Sequence, residues 1–209
     1  LSYNHKNLIG HFRQDLTHLE KLEKLFIQIE QIVSKNEYQK ITLINNAGII
    51  GDIKKVENLS EDSIAKTIQI NLTVPIVISS YFLSLMKNKV NINYRVINIS
   101  SGASNNPYYG WSGYCASKAG LEMFSKVLAK EETTNKNFKS LCIKPGVVDT
   151  VMQSEIRRSS KNDFKDVDRF KKLKKNNQLY SPLFCAKKIL EIDENDDYVS
   201  GVSIDIRDL

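Results

Sequence analysis

Residues that build metal sites and disulfide frameworks are scarce in this chain, and closely spaced glycines are missing. The 209 residues include 3 Cys, 3 His, 4 Pro, 9 Gly and 1 Trp. Cys115, Cys142 and Cys185 stand far apart and make no CxxC pair, so reduced thiols in a cytoplasmic setting are expected. His5, His11 and His18 lie near the start without metal-ligand spacing, so no metal site is expected. No two glycines stand two positions apart, so no G-x-G-x-x-G phosphate loop can be drawn. The longest apolar run, Val74 to Met86, is interrupted by Pro75, Ser79, Ser80 and Ser84 and falls short of a membrane span, so no membrane association is expected.

Charge of one sign is not in large excess either. Lys and Arg number 30 against 24 Asp and Glu, a net +6. Much of the excess sits in Arg157 to Lys175, which reads as a solvated helical face. It brings no nucleic-acid module with it, so no nucleic-acid partner is expected. What remains is an ordinary globular composition, 41% apolar and 26% charged.

Along the chain, strand-like and helix-like segments alternate. Ile9 to Arg13 reads as a short strand. From Leu16, apolar residues recur with helical spacing at Leu19, Leu22, Leu25, Phe26, Ile29, Ile32 and Val33. Ile41–Ile44 is a buried strand ending in the Asn45-Asn46-Ala47-Gly48 turn. Ser60 caps a helix that runs through Asn71, kinks at Pro75 and resumes to about Met86. Val96–Ile99 is the next strand, followed by a polar loop to Ser112 and a helix from about Gly113 to Lys130. Leu141–Ile143, a Ser181-Pro182 helix start and the alternating Val202, Ile204 and Ile206 complete the pattern. Strand–helix alternation without a linker predicts one α/β domain over 1–209, a doubly wound parallel sheet of the Rossmann type.

In such sheets ligands bind beyond the carboxyl ends of the strands. Three ends carry small and polar residues: Asn45–Gly48, Ser100-Ser101, and Pro145 to Thr150. Tyr114 and Lys118 share one face near the start of a helix, four residues apart. A free phenol has a pKa of about 10, and an adjacent ammonium and a helix N-terminus both stabilise the phenolate. The pair can therefore work as a general acid, with Ser101 thirteen residues upstream at a strand end.

These residues, NNAG (Asn45–Gly48), Asn71-Leu72, Ile99–Ser101, Tyr114–Lys118 and PGVVDT (Pro145–Thr150), resemble the short-chain dehydrogenase/reductase family in order and spacing. Within it, Ser100–Gly120, Pro145–Phe164 and Ser200–Leu209 are similar to the benzil reductase and sepiapterin reductase branch. The resemblance implies an NADPH-dependent carbonyl reductase that reduces a small aromatic or vicinal, benzil-like dicarbonyl to a hydroxy ketone. A pterin reductase, or a non-catalytic module of the same fold, is the alternative. It assigns Tyr114 as proton donor, with Ser101 (Ser100 its neighbour) holding the carbonyl oxygen. Lys118 would lower the tyrosine pKa and bind ribose, and Asn71 would anchor a water in the proton relay. Asp15 and Leu16 would border the adenine, though Asp15 also reads as an N-cap. Asn46, Ala47 and Gly48 would lie by the ribose, and Val148 and Thr150 at the carboxamide. Asp205, Tyr108, Tyr109 and Trp111 would form the substrate pocket, the aromatics reading equally as a packed loop. A homodimer or homotetramer is implied as well. The family's Gly-rich segment is not in the sequence, and the chain opens on Leu1. The expectation is that roughly forty residues, two strands and the helix between them, precede it. An unpartnered Ile9–Arg13 and an open edge at Ile41–Ile44 would follow.

Overall fold

A computed structural model describes residues 10–87, 89 and 91–209. Four parallel strands form one sheet in the order β1 (Lys40–Asn45), β2 (Asn93–Ile99), β3 (Phe138–Lys144), β4 (Ser203–Asp205). Every crossover contains helix: α1 (Leu22–Val33) precedes β1, and α2 (Glu61–Ile68) with α3 (Val74–Met86) joins β1 to β2. Helix α4 (Ser112–Glu131) joins β2 to β3, and α5 (Val151–Arg158), α6 (Val167–Lys175) and α7 (Pro182–Glu194) precede β4.

The period of two in β2 and β3 separates two cores. Tyr94, Val96 and Phe138 pack with Phe26 of α1, Phe82 and Met86 of α3 and Leu128 of α4. The intervening Ile97, Ile99, Leu141 and Ile143 pack with Ile192 of α7 and with Ile204 and Ile206. Helices thus cover both faces of a parallel sheet, the doubly wound arrangement expected from the sequence.

Several local expectations are corrected. Ile9 lies outside the described residues, and Gly10 to Gln14 form no strand, since no described strand runs beside them. The helix expected from Leu16 begins later, as a 3₁₀ turn at Leu19–Lys21 that continues into α1. Asp15 is not its N-cap: its carboxylate closes a turn on the Thr17 N–H (2.9 Å) and hydroxyl (2.7 Å). The kink or restart expected at Pro75 is present without a break in the helix. Pro75 stands in the first turn of α3, where its missing N–H costs little, and the irregularity falls just before it, a π turn at Gln69–Thr73. Residues Glu61–Met86 therefore form one helical run, long and apolar enough by length and composition to cross a membrane, contrary to the reading of its broken apolar stretch. Its polar residues Asn71 and Ser79 are buried against α4 and β1, as in a core helix. The last strand is only Ser203–Asp205, because Asp205 caps a 3₁₀ turn over Ile206–Asp208.

Candidate active site

The carboxyl ends of β1, β2 and β3 converge on one rim, and the start of α4 crosses it. Asn45 and Asn98 are register partners on neighbouring strands. The Asn45 amide donates to Asn98 Oδ1 (2.8 Å) and Ser79 Oγ (3.1 Å), and the Asn98 amide donates to Ser125 Oγ (2.8 Å). This buried polar ladder ties β1, β2, α3 and α4 together beneath the rim. Fully paired networks of this kind fix geometry, because any broken link strands a desolvated group.

Asn71 is completely buried and sits in the π turn. Its amide donates to the Ile49 carbonyl (2.8 Å) and Ser117 Oγ (3.1 Å), while its Oδ1 accepts from the Ile49 N–H (2.8 Å). The NNAG turn is thereby clamped to α4. Gly48 faces this clamp: a Cβ there would stand 3.4 Å from Asn71 Oδ1 and 3.5 Å from Lys118 Nζ. The space beside the lysine ammonium exists because residue 48 has no side chain.

Lys118 is 4% exposed and its Nζ donates to the Ile99 carbonyl (2.8 Å). Burial disfavours its charged form and brings its pKa down to about 8. Tyr114, one turn earlier, is 7% exposed, with the ammonium 5.8 Å from its ring centroid. Burial pushes the phenol up to about 12, opposed by the hydroxyl of Ser101. The neighbouring Lys118 ammonium is turned toward the Ile99 carbonyl. The phenol accordingly keeps its proton at neutral pH. Ser101 caps the 3₁₀ turn Gly102–Ser104, its Oγ accepting from the Ala103 N–H (3.2 Å). Ser100 faces away, toward the Lys118 carbonyl (3.4 Å), which favours Ser101 of the two.

The loop aromatics pack on one another and on the basic segment. Trp111, 5% exposed, stacks on Phe164 (4.8 Å, 10°) and meets the Tyr114 ring edge-on at 5.6 Å. Tyr108 packs on Trp111 at 4.7 Å and its hydroxyl accepts from Arg169 Nη1 (3.2 Å). Tyr109 lies under the Lys165 ammonium at 5.2 Å. The basic segment supplies the cover: Phe164, Val167 and Phe170 are buried on this cluster while its lysines face outward. The loop closes against it because Gly110, at φ +82°, lies where a Cβ would collide with the Asp163 carbonyl.

At the third rim segment, Val148 bridges to Tyr180 and Thr150 caps α5. On the far side, Leu16 and Asn45–Ala47 line a recess of about 200 Å³ with Ile70, Val74 and Pro75. Asp15 stands outside its lining, and its carboxyl is held below the ordinary value by the Thr17 hydrogen bonds. Asp205, expected to face substrate, is engaged by Arg207: Nε donates to Oδ1 (2.8 Å) and Nη2 to Oδ2. The structure thus brings Ser101, Tyr114, Lys118, Asn71 and Gly48 together. Sequence reasoning did not find Ser117, Asn98, Phe164 or Arg207. Only Asn98, opposite Asn45 in two similar strands, carried a signal that could have revealed it.

A parallel sheet with helices on both faces, and a tyrosine, lysine and serine at its carboxyl rim, defines an oxidoreductase of the nicotinamide-dependent Rossmann class. The family model described as short chain dehydrogenase matches residues 3–161, and the chain belongs to that family. It is 39% identical over 193 residues to a benzil reductase ((S)-benzoin forming) of Bacillus cereus, covering 92% of this chain and 77% of the relative. It is 30% identical over 192 residues to the sepiapterin reductase of Rattus norvegicus, covering 90% and 71%. Among solved structures it is similar to the crystal structure of KRED1-Pglu enzyme, with TM-score 0.74, 31% identity, and coverage of 91% of this chain and 77% of that one.

Proposed function

We propose that this short-chain oxidoreductase is an NADPH-dependent carbonyl reductase that converts a benzil-like vicinal dicarbonyl to a hydroxy ketone. The carrying observation is the meeting of Tyr114, Ser101 and Lys118 at one dry rim, together with the benzil reductase likeness. The residues fit the nicotinamide half of the cofactor: the missing Cβ of Gly48 leaves room beside the buried Lys118 ammonium. Lys118 and the Asn46–Gly48 turn would hold the ribose, Val148 and Thr150 the carboxamide, and Asp15 and Leu16 the adenine side. When bound, the nicotinamide supplies the hydride.

The chain's residues do the rest. Ser101 donates a hydrogen bond to the substrate carbonyl oxygen and stabilises the charge that develops there. Tyr114 gives its phenolic proton to that oxygen as the carbonyl carbon is reduced, so the product leaves as an alcohol. Burial keeps the phenol protonated at neutral pH, the state from which it donates. Lys118, mostly protonated at neutral pH, favours the phenolate left behind. Asn71 anchors the water through which the proton is replaced. The proposal includes one domain over 1–209, a cytoplasmic setting, and a homodimer or homotetramer joined through exposed apolar residues such as Met123 and Val127 of α4.

The test is consumption of NADPH with benzil by the protein and by Tyr114→Phe. Benzil-dependent oxidation that disappears in the variant is expected, and full activity in Tyr114→Phe overturns the assignment. Titration with NADPH should also quench Trp111, which touches the Tyr114 ring. Failure to bind either NADPH or NADH would leave a non-catalytic module. A pterin substrate is the second reading, favoured by the sepiapterin reductase likeness. Faster turnover of sepiapterin than of benzil would install it.

A further inference from the structure

The C-terminal turn places an arginine where the sequence directed attention to an aspartate. Arg207 binds Asp205 through Nε and Nη2, and its own backbone N–H also donates to Asp205 Oδ1 (3.0 Å). The carboxylate side chain is 13% exposed and the arginine side chain 47% exposed. The arginine stem lies along Gly146, where a Cβ would stand 3.3 Å from Cγ. Its head reaches Gly102, where a Cβ would stand 3.7 Å from Nη2. Gly102 follows Ser101 directly. The arginine therefore lies along the backbone that follows β2 and β3, and Asp205 fixes its head there. Nη1 makes no hydrogen bond among the described residues, and Lys144 adds positive charge next to Asp205.

This arrangement has a chemical preference. A substrate that offers N–H donors to Asp205 must first displace a two-point guanidinium. A substrate that offers an acceptor oxygen needs only the free N–H groups. In a vicinal dicarbonyl the second oxygen lies one carbon–carbon bond from the carbonyl held by Ser101. We propose that Arg207, positioned by Asp205, is a specificity-determining residue that donates a hydrogen bond to the second carbonyl oxygen of a vicinal dicarbonyl. The inference rests on the dicarbonyl reductase reading above.

The experiment compares benzil with deoxybenzoin, which keeps both rings and one carbonyl but lacks the second. The protein, Arg207→Met and Arg207→Lys are assayed on both with NADPH, and thermal melting checks that each variant is folded. A hydrogen bond from a charged donor predicts that Arg207→Met lowers the benzil-to-deoxybenzoin ratio of kcat/KM by about 10- to 100-fold. Arg207→Lys, which keeps a cationic donor but not the fork, should fall between. A purely structural role would lower both substrates together. A ratio unchanged within about threefold in Arg207→Met overturns the inference while leaving the dicarbonyl reading intact. A protein that reduces deoxybenzoin but not benzil, or neither, overturns the dicarbonyl reading and this inference with it.

Discussion

Strands β1 and β2 are neighbours with similar sequences, KITLIN and NYRVINI, yet they occupy different environments. In β2 every residue after Asn93 is buried. In β1 only Asn45 is buried and Ile44 is 38% exposed. The reason is pairing: β2 has β1 on one side and β3 on the other, while β1 has a described partner only in β2. The site follows the same division. Its catalytic candidates come from the end of β2, from α4 and from the π turn before α3, and the open recess lies along β1. Chemistry that depends on a phenol and an ammonium held out of water belongs on the two-sided part. The one-sided part is an edge that still presents apolar surface.

Four tests sharpen that contrast. The largest effect should come from Tyr114→Phe in the closed half, a loss in kcat of about 10²- to 10⁴-fold, the span of general acid catalysis. Melting should be little changed, since only a hydroxyl is removed. Next, Phe164→Ala removes the ring stacked under Trp111 and should cost about 3–5 kcal/mol by urea unfolding, with a shift in Trp111 emission. Third, Ile97→Ala and Ile44→Ala make the same chemical change on opposite sides of the division. The first, fully buried, should cost about 2–5 kcal/mol, and the second less than about 1 kcal/mol. Equal costs would mean that the β1 edge is covered in the protein as purified.

A fourth effect is a slope of stability with pH. Lys118 has a folded pKa near 8, below its ordinary 10.5, so between those values the unfolded chain binds more protons than the folded one. Its contribution is fully present above 10.5 and is lost as pH falls through 8. Tyr114 runs the other way, its folded pKa raised from 10.0 to about 12, so its contribution is lost as pH rises between those values. The unmodified protein should therefore gain melting temperature between pH 8 and pH 10, and Lys118→Met should lose that gain.

Local signals in the sequence were read well where a residue acts through its immediate neighbours. Ser60, Thr150 and Ser181 each offer a capping oxygen to the N–H three residues on, and Ser60 and Ser181 were recognisable as helix starts from spacing alone. Tyr114 and Lys118 fell on one face of α4 because the helical repeat requires it. Reading failed where a partner came from a distant segment. The burial of Trp111 depends on Phe164 and Phe170, which arrive from a segment far along the chain. The basic segment showed its charges in sequence but not its three buried apolar residues' destination.

The sequence by itself determined the alternation of strands and helices, the parallel doubly wound sheet, and which residue types meet at its carboxyl rim. Periodicity and capping are short-range properties and can be read along the chain. Only the tertiary structure decided how far Tyr114 and Lys118 are withdrawn from water. It also decided the spread of Asn71's hydrogen bonds onto Ile49 and Ser117. Those outcomes depend on desolvation and on contacts between segments far apart in sequence, and no local pattern encodes either.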